Sequence, residues 1–300
     1  MRRRLWALVA VAAVVAACSG GGAAASPSDG RIEVVTTTTV FADLVRSIGG
    51  DRVVVDSLVP KGGDVHTFDP RPSDARRIDD AGLVIANGLG LDDWLAKLAK
   101  DTGTAARIVQ LADSVPADRY IVEGGIANPH LWLDPDAASA YGGAIAAALA
   151  QVDPDHAATY QANRTAFDGK LRDLKAWGRS LVGTIPPGHR SLISFHDALP
   201  YFARAFGLEI AGVIVKAPGQ DPSASDIAAL VDAIRASGVR VVVSEAQFSD
   251  KLARTVAEET GATIVTDIHD DSLGDPPVDT YLGLIRYDLD RLVAALNGSD

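Results

Sequence analysis

From Arg31 onward the chain alternates short β-branched runs with stretches of helical periodicity. The apolar runs "IEVVTTT", "VVVDSLV" and "LVIANG" are separated by helical patterns over about Val40–Ile48 and Ser73–Asp80, and a third helix follows over about Leu91–Lys100. Short continuous apolar strands alternating with helices predict a parallel sheet covered on both faces. The same grammar returns after Gly188 in "RSLISF", "IAGVIV", "VRVVVSEA" and "ATIVTD", with helices over about Leu199–Phe206, Ser223–Ala236 and Asp250–Thr260.

Between these regions the pattern changes. From Pro154 to Val182 there is no strand-like run, and Phe167, Leu171, Leu174, Trp177 and Leu181 recur at three- and four-residue steps on one helical face. A helix of that extent is about 40 Å long, enough to run along both regions. The organisation expected is α/β: two Rossmann-like lobes with parallel sheets, residues 31–153 and 183–300, joined by one long rigid backbone helix, residues 154–182. The stretches "VPKGGDVHTFDPRPSDARRI" and "VKAPGQDPSASDIAAL" each run from a strand end through a Pro/Gly loop to Asp-Pro, Ser-Asp and a helix, which suggests that the lobes are divergent copies.

The first thirty residues follow other rules. "MRRR" is a positive leader, Leu5 to Ala17 is an apolar run too short to span a bilayer, and Cys18 follows at once. Residues 1–18 read as an export signal, and residues 19–30, small and polar, read as a flexible tether. The tetrapeptide "VAAC" resembles the lipobox of bacterial lipoproteins, which implies cleavage before Cys18 and its lipidation. Cys18 is the only cysteine, so a disulfide or thiolate metal site is excluded from the mature fold, and any metal must be held by histidine and carboxylate. The 28 basic and 39 acidic residues give a net charge of −11, which argues against a nucleic-acid surface.

Of the six histidines, His66 and His196 lie at carboxyl ends of predicted strands, where ligands of open α/β sheets bind. His130 stands in "NPHLWLDP", between Pro129 and the bulky Leu131, Trp132 and Leu133, before an Asp-Pro stop. A core histidine with one satisfied nitrogen would look the same. His156, His189 and His269 read as solvated or capping residues. "NGLGLDDW" does not complete a dinucleotide fingerprint, and the chain carries neither a phosphate-binding P-loop pattern nor HExxH.

In order and spacing, "PKGGDVHTFDPRPSD", "NPHLWLDP", "ISFHDALPYFARAFGL", "VVVSEAQFS" and the terminal "DDSLGD" and "TYLGLIRYDLDRLVAAL" resemble the zinc/manganese solute-binding lipoproteins of bacterial ABC importers, over nearly all of Arg31 to Leu296. The resemblance implies two lobes on a rigid helix with a metal held between them by His66 and His130 from the first and His196 and a carboxylate from the second. Asp271 matches that carboxylate better than the adjacent Asp270. Glu245, Asp270 and Trp132 are implied as supporting neighbours.

Three imidazoles and a carboxylate suit a borderline divalent ion. Zn²⁺ is favoured over Mn²⁺ as the transported ligand: manganese-preferring members of the resembled family often carry glutamate where His196 stands. The segment "SVPADRYIVEGGIA" lacks the His-rich loop of many zinc members. The implied partners are the transmembrane subunits of an ABC permease and, through the N-terminal lipid, the membrane; the protein is expected to be a monomer on the outer face of the cytoplasmic membrane or in the periplasm, and not an enzyme. A secreted zinc hydrolase would need an open coordination position and a general base, and a surface adhesin finds no support in repeats or long exposed apolar segments.

Overall fold

The computed structural model describes residues 30–216, 218–219 and 222–298. The predicted export signal, Cys18 and nearly all of the tether lie outside those residues. Among the described residues no helix is long and apolar enough to cross a membrane.

The first lobe runs β1 (Ile32–Thr36), α1 (Thr39–Gly49), β2 (Val53–Ser57), α2 (Pro72–Asp80), β3 (Leu83–Ala86), α3 (Asp93–Thr102) and β4 (Arg107–Gln110). Its four strands are parallel in the order β2-β1-β3-β4. The end of β1 feeds α1 through a polar cap: Thr38 accepts the Phe41 N–H at 3.3 Å. A small antiparallel hairpin follows, β5 (Val122–Glu123) and β6 (Ile126–Ala127). Its turn, Gly124 and Gly125, has φ of 57° and 84°, the left-handed region a two-residue hairpin loop needs.

The Asp134-Pro135 pair, expected as a stop, is instead a start. Asp134 caps α4 (Pro135–Val152) by accepting the Asp136 N–H at 3.0 Å, and Pro135, whose missing N–H costs nothing there, is the first helical residue. The linking helix α5 (Ala157–Val182) spans 26 residues after a short turn at Pro154–His156. Phe167, Leu171 and Leu174 are buried as the periodicity predicts, and Trp177 packs partly buried against the same core.

The second lobe runs β7 (Ser191–Ser194), α6 (Pro200–Phe206), β8 (Glu209–Val213), α7 (Ala224–Ser237), β9 (Val241–Glu245), α8 (Lys251–Thr260), β10 (Thr263–Ile268) and α9 (Tyr281–Asn297). Its parallel order is β10-β9-β7-β8. Counted within each lobe, both sheets have the order second, first, third, fourth, the topology expected of divergent copies.

One apolar core spans both lobes and includes α1, α4, α5, α6 and α9. Helix α5 contacts α1, α4, α6 and α9, so it is a shared spine rather than a tether. Helix α9 reaches back to the first lobe as well: Tyr281 donates its main-chain N–H to Asp43 at 2.8 Å and its hydroxyl to the Trp132 carbonyl at 2.7 Å. These contacts fix the angle at which the carboxyl ends of the two sheets face one another.

Candidate metal centre

Four loops converge where the sheets meet. In the loop after β2, Asp64 accepts the His66 N–H at 2.9 Å and the Thr67 hydroxyl at 2.5 Å, a local turn that sets the His66 backbone. Trp94 donates to the Val65 carbonyl at 3.1 Å and pins the same loop. His130 opens a tight turn, Leu131–Leu133, whose three side chains are buried; Trp132 packs edge-on to Phe41 with centroids 5.2 Å apart. His196 stands two residues beyond β7. Near the end of β10 the pairing with β9 shifts between Val265 and Ile268, and Asp267 there has φ of 66°. Such a bulge bends the strand and carries Asp270 and Asp271 into the cleft.

The result is a tight donor set. Ring centroids of His66, His130 and His196 lie 5.2–5.5 Å apart pairwise. His66 Nε2 is 3.3 Å from His130 Nε2 and 3.2 Å from Asp271 Oδ2, and His130 Nε2 is 3.7 Å from Asp271 Oδ1. Ligand-type atoms of His66, His130, His196 and Asp271 all fall within 4.8 Å of one another. Asp271, His130 and His196 are buried, and the His66 side chain, 16 % exposed, faces a cleft of about 380 Å³ that also meets Leu89, Ile126, Pro129 and Lys216.

Glu245 and Asp270 lie behind this set, both buried. Glu245 Oε1 is 3.4 Å from His196 Nδ1 and accepts the Ser194 hydroxyl at 3.1 Å. Asp270 Oδ1 accepts from Gln247 Nε2 at 2.5 Å and from the Asp271 N–H at 2.6 Å, whereas its Oδ2, 3.6 Å from His196 Nε2, has no hydrogen-bond partner. Trp132 donates its indole N–H to the Asp270 carbonyl at 2.9 Å, and its ring centroid is 5.3 Å from that of His130.

Charge is distributed unevenly over the cluster. Burial pushes His130 well below its ordinary value of 6.5, against the opposing pull of Asp271, so this imidazole is neutral. For His196 burial acts in the same direction but is outweighed by Glu245, Asp270 and Asp271 together, which push its pKa up to about 10. Burial also opposes ionisation of Asp271, yet the hydrogen bond from His66 and the neighbouring imidazoles hold it down at about 2. Asp270 is raised well above the carboxylate range by burial and then by the charge of Asp271. The site thus pairs an ionised carboxylate, Asp271, with a cationic imidazole, His196, whose proton a metal ion would have to expel.

The remaining histidines are elsewhere. His156 Nδ1 pairs with Asp153 at 2.8 Å at the start of the spine, and His189 lies in the short Pro187–His189 turn. His269 stands beside the cluster in sequence but turns its ring toward Tyr287, 5.9 Å between centroids. Two supporting residues escaped the reading of the sequence: Gln247, on Asp270, and Asn128, on His130. Only the position of Asn128 two residues before a candidate ligand hinted at a role.

A family model described as zinc-uptake complex component A, periplasmic, matches residues 34–295. The iron-binding protein YfeA of Yersinia pestis is 34% identical over 273 residues, 89% of this chain and 87% of that protein. The manganese-binding lipoprotein MntA of Halalkalibacterium halodurans is 28% identical over 268 residues, 89% of each chain. Among solved structures, the Mn-bound periplasmic metal binding protein from Candidatus Liberibacter asiaticus superposes with a TM-score of 0.79 at 27% identity, covering 89% of this chain and 100% of that one.

Proposed function

The chain belongs to the periplasmic zinc-uptake complex component A family, and from that premise we propose that His66, His130, His196 and Asp271 close around one divalent metal ion, with zinc the preferred cargo. The protein is the exported metal-binding component of an ABC importer, and it delivers metal to a membrane permease. Members of this family are substrate-binding proteins of transporters rather than enzymes. In our reading the chain acts as a monomer tethered through lipid on Cys18.

The donor spacing carries the ligand assignment. Atoms bound tetrahedrally to zinc at about 2.1 Å stand about 3.4 Å from one another, and the contacts of 3.2, 3.3 and 3.7 Å among His66, His130 and Asp271 bracket that value. Four protein ligands leave no position for an activated water, which suits capture rather than hydrolysis. Zinc is favoured because three imidazoles outnumber the one carboxylate, and because affinity for such donors rises from manganese to zinc.

A second reading, manganese or iron, has its own support. The unpartnered Asp270 Oδ2, 3.6 Å from His196 Nε2, could add a hard oxygen donor and raise the coordination number, and similar proteins are named as iron- and manganese-binding. Competitive calorimetric titration of the metal-stripped protein with Zn²⁺ and then Mn²⁺ separates the two. One tight zinc site, poorly displaced by manganese and weakened in Asp271→Ala, is the expected result. Tight manganese binding would reverse the metal preference, and stoichiometric binding unaffected by Asp271→Ala would overturn the ligand set.

A further inference from the structure

Asn128 is nearly buried, 8 % exposed, and sits between the two lobes. Its side-chain oxygen accepts the His130 main-chain N–H at 3.0 Å and faces His130 Nδ1 at 2.9 Å. Its amide nitrogen donates to the Asp197 main-chain oxygen at 2.6 Å and to Asp197 Oδ2 at 2.9 Å. A carboxamide has two N–H donors and two acceptor lone pairs, so the whole capacity of this side chain is used. Its orientation is fixed by its partners: a flipped amide would set N–H against the His130 N–H and oxygen against two oxygens of Asp197.

That orientation has a consequence for the ring. Since the Asn128 oxygen can only accept, His130 Nδ1 carries the proton, and the lone pair of Nε2 is left facing His66 and Asp271. The other half of the same amide grips Asp197, the residue after His196. Tyr201 repeats the bridge from the second lobe, donating its hydroxyl to the Asn128 carbonyl at 3.0 Å and accepting the Ile121 N–H at 2.9 Å.

We propose that Asn128 is a positioning residue and an interlobe latch: one amide both holds His130 in its metal-facing tautomer and ties it to the loop that carries His196, so that breaking the Asn128–Asp197 contact governs how fast bound metal leaves. The proposal rests on the reading that His130 and His196 hold the metal. Losing the support of a metal-ligating histidine weakens a site about 10- to 100-fold. The latch adds that the two halves of the amide act on different quantities, tautomer on one side and release on the other.

The test loads the full chain with Zn²⁺ and follows its release into excess chelator by stopped flow, alongside ¹⁵N ring spectra of the metal-free protein. Asn128→Asp keeps an acceptor for His130 but presents oxygen to both oxygens of Asp197. It is expected to retain the Nδ1–H tautomer while releasing zinc about tenfold faster. Adding Asp197→Asn to that variant returns an N–H donor to the contact and is expected to slow release again, a rescue that general destabilisation would not produce. Should the Asn128 variants fail to fold, Asp197→Ala, which removes only the 2.9 Å contact, is expected to speed release severalfold. Release at the parent rate in Asn128→Asp, or in Asp197→Ala where that variant stands in for it, would overturn the latch, as would a double variant no slower than the single one. If His130→Ala and His196→Ala leave zinc binding tight, the ligand reading fails and the latch with it; if they abolish binding while Asn128→Asp behaves as the parent, only the latch fails.

Discussion

Binding of a divalent metal should expel at least one proton, and the structure says from where. His130 is already neutral and Asp271 already ionised near pH 7, because their pKa values lie well below 6.5 and at about 2. His196 is different, held protonated up to about 10 despite its burial by Glu245, Asp270 and Asp271. At pH 7 that is three units of displacement, so expelling this proton weakens apparent affinity about a thousandfold, about 4 kcal/mol. Affinity is therefore expected to climb about tenfold per pH unit from pH 7 to 9 and to level off near 10, well above the range of an unperturbed imidazole.

The stability of the metal-free protein runs the opposite way. A folded-state pKa raised above the unfolded value stabilises fully below about pH 6.5 and ceases to as pH rises through about 10. The assay is calorimetry at pH 8 in buffers of differing ionisation enthalpy, where the slope of observed against buffer enthalpy counts protons. One or more released per metal is expected, with a shallower pH profile in Glu245→Gln. A count of zero at pH 8 would refute the charge assignment of His196.

Trp132 donates to the Asp270 carbonyl and packs beside His130, so its fluorescence should change on saturation with zinc; unchanged emission would mean that the cluster does not reorganise around the ion. At Gly178 on α5 an added Cβ would lie 2.6 Å from Phe206 and 2.7 Å from Leu289. Gly178→Ala should therefore lower unfolding stability by about 1–2 kcal/mol in denaturant titration, because overpacking outweighs the gain in helix propensity; a more stable variant would contradict this packing. With α5 and α9 both tying the lobes together, solution scattering should give the same radius of gyration with and without metal, and a metal-dependent contraction would sink the rigid-spine reading.

The strands and most helices were legible because their apolar periods are clean. Helix α4 was not, because "PDAASAYGGAIAAALAQV" is alanine- and glycine-rich on every side and offers no polar stripe against an apolar one. Strand β4 escaped for the opposite reason: "RIVQ" is short and mostly exposed, a sheet edge with little apolar signal. His66, His130, His196 and Asp271 could be named from motif order, and the structure brings all four together. Their supporting contacts could not be named. Asn128 meets Asp197 69 positions away, and Trp132 meets Asp270 138 positions away, distances over which one sequence carries no local pattern.

The spine also bears on timing. Swinging whole domains takes microseconds to milliseconds, whereas loops rearrange in nanoseconds to microseconds. When both lobes share one core along α5, exchange of the ion with its surroundings is no longer paced by a swinging hinge. It is paced locally, by the loosening of the loops that carry the donor atoms, the Asn128–Asp197 contact among them, and a permease that accepts this cargo meets it as a competing set of ligands rather than as a lever that swings whole lobes apart.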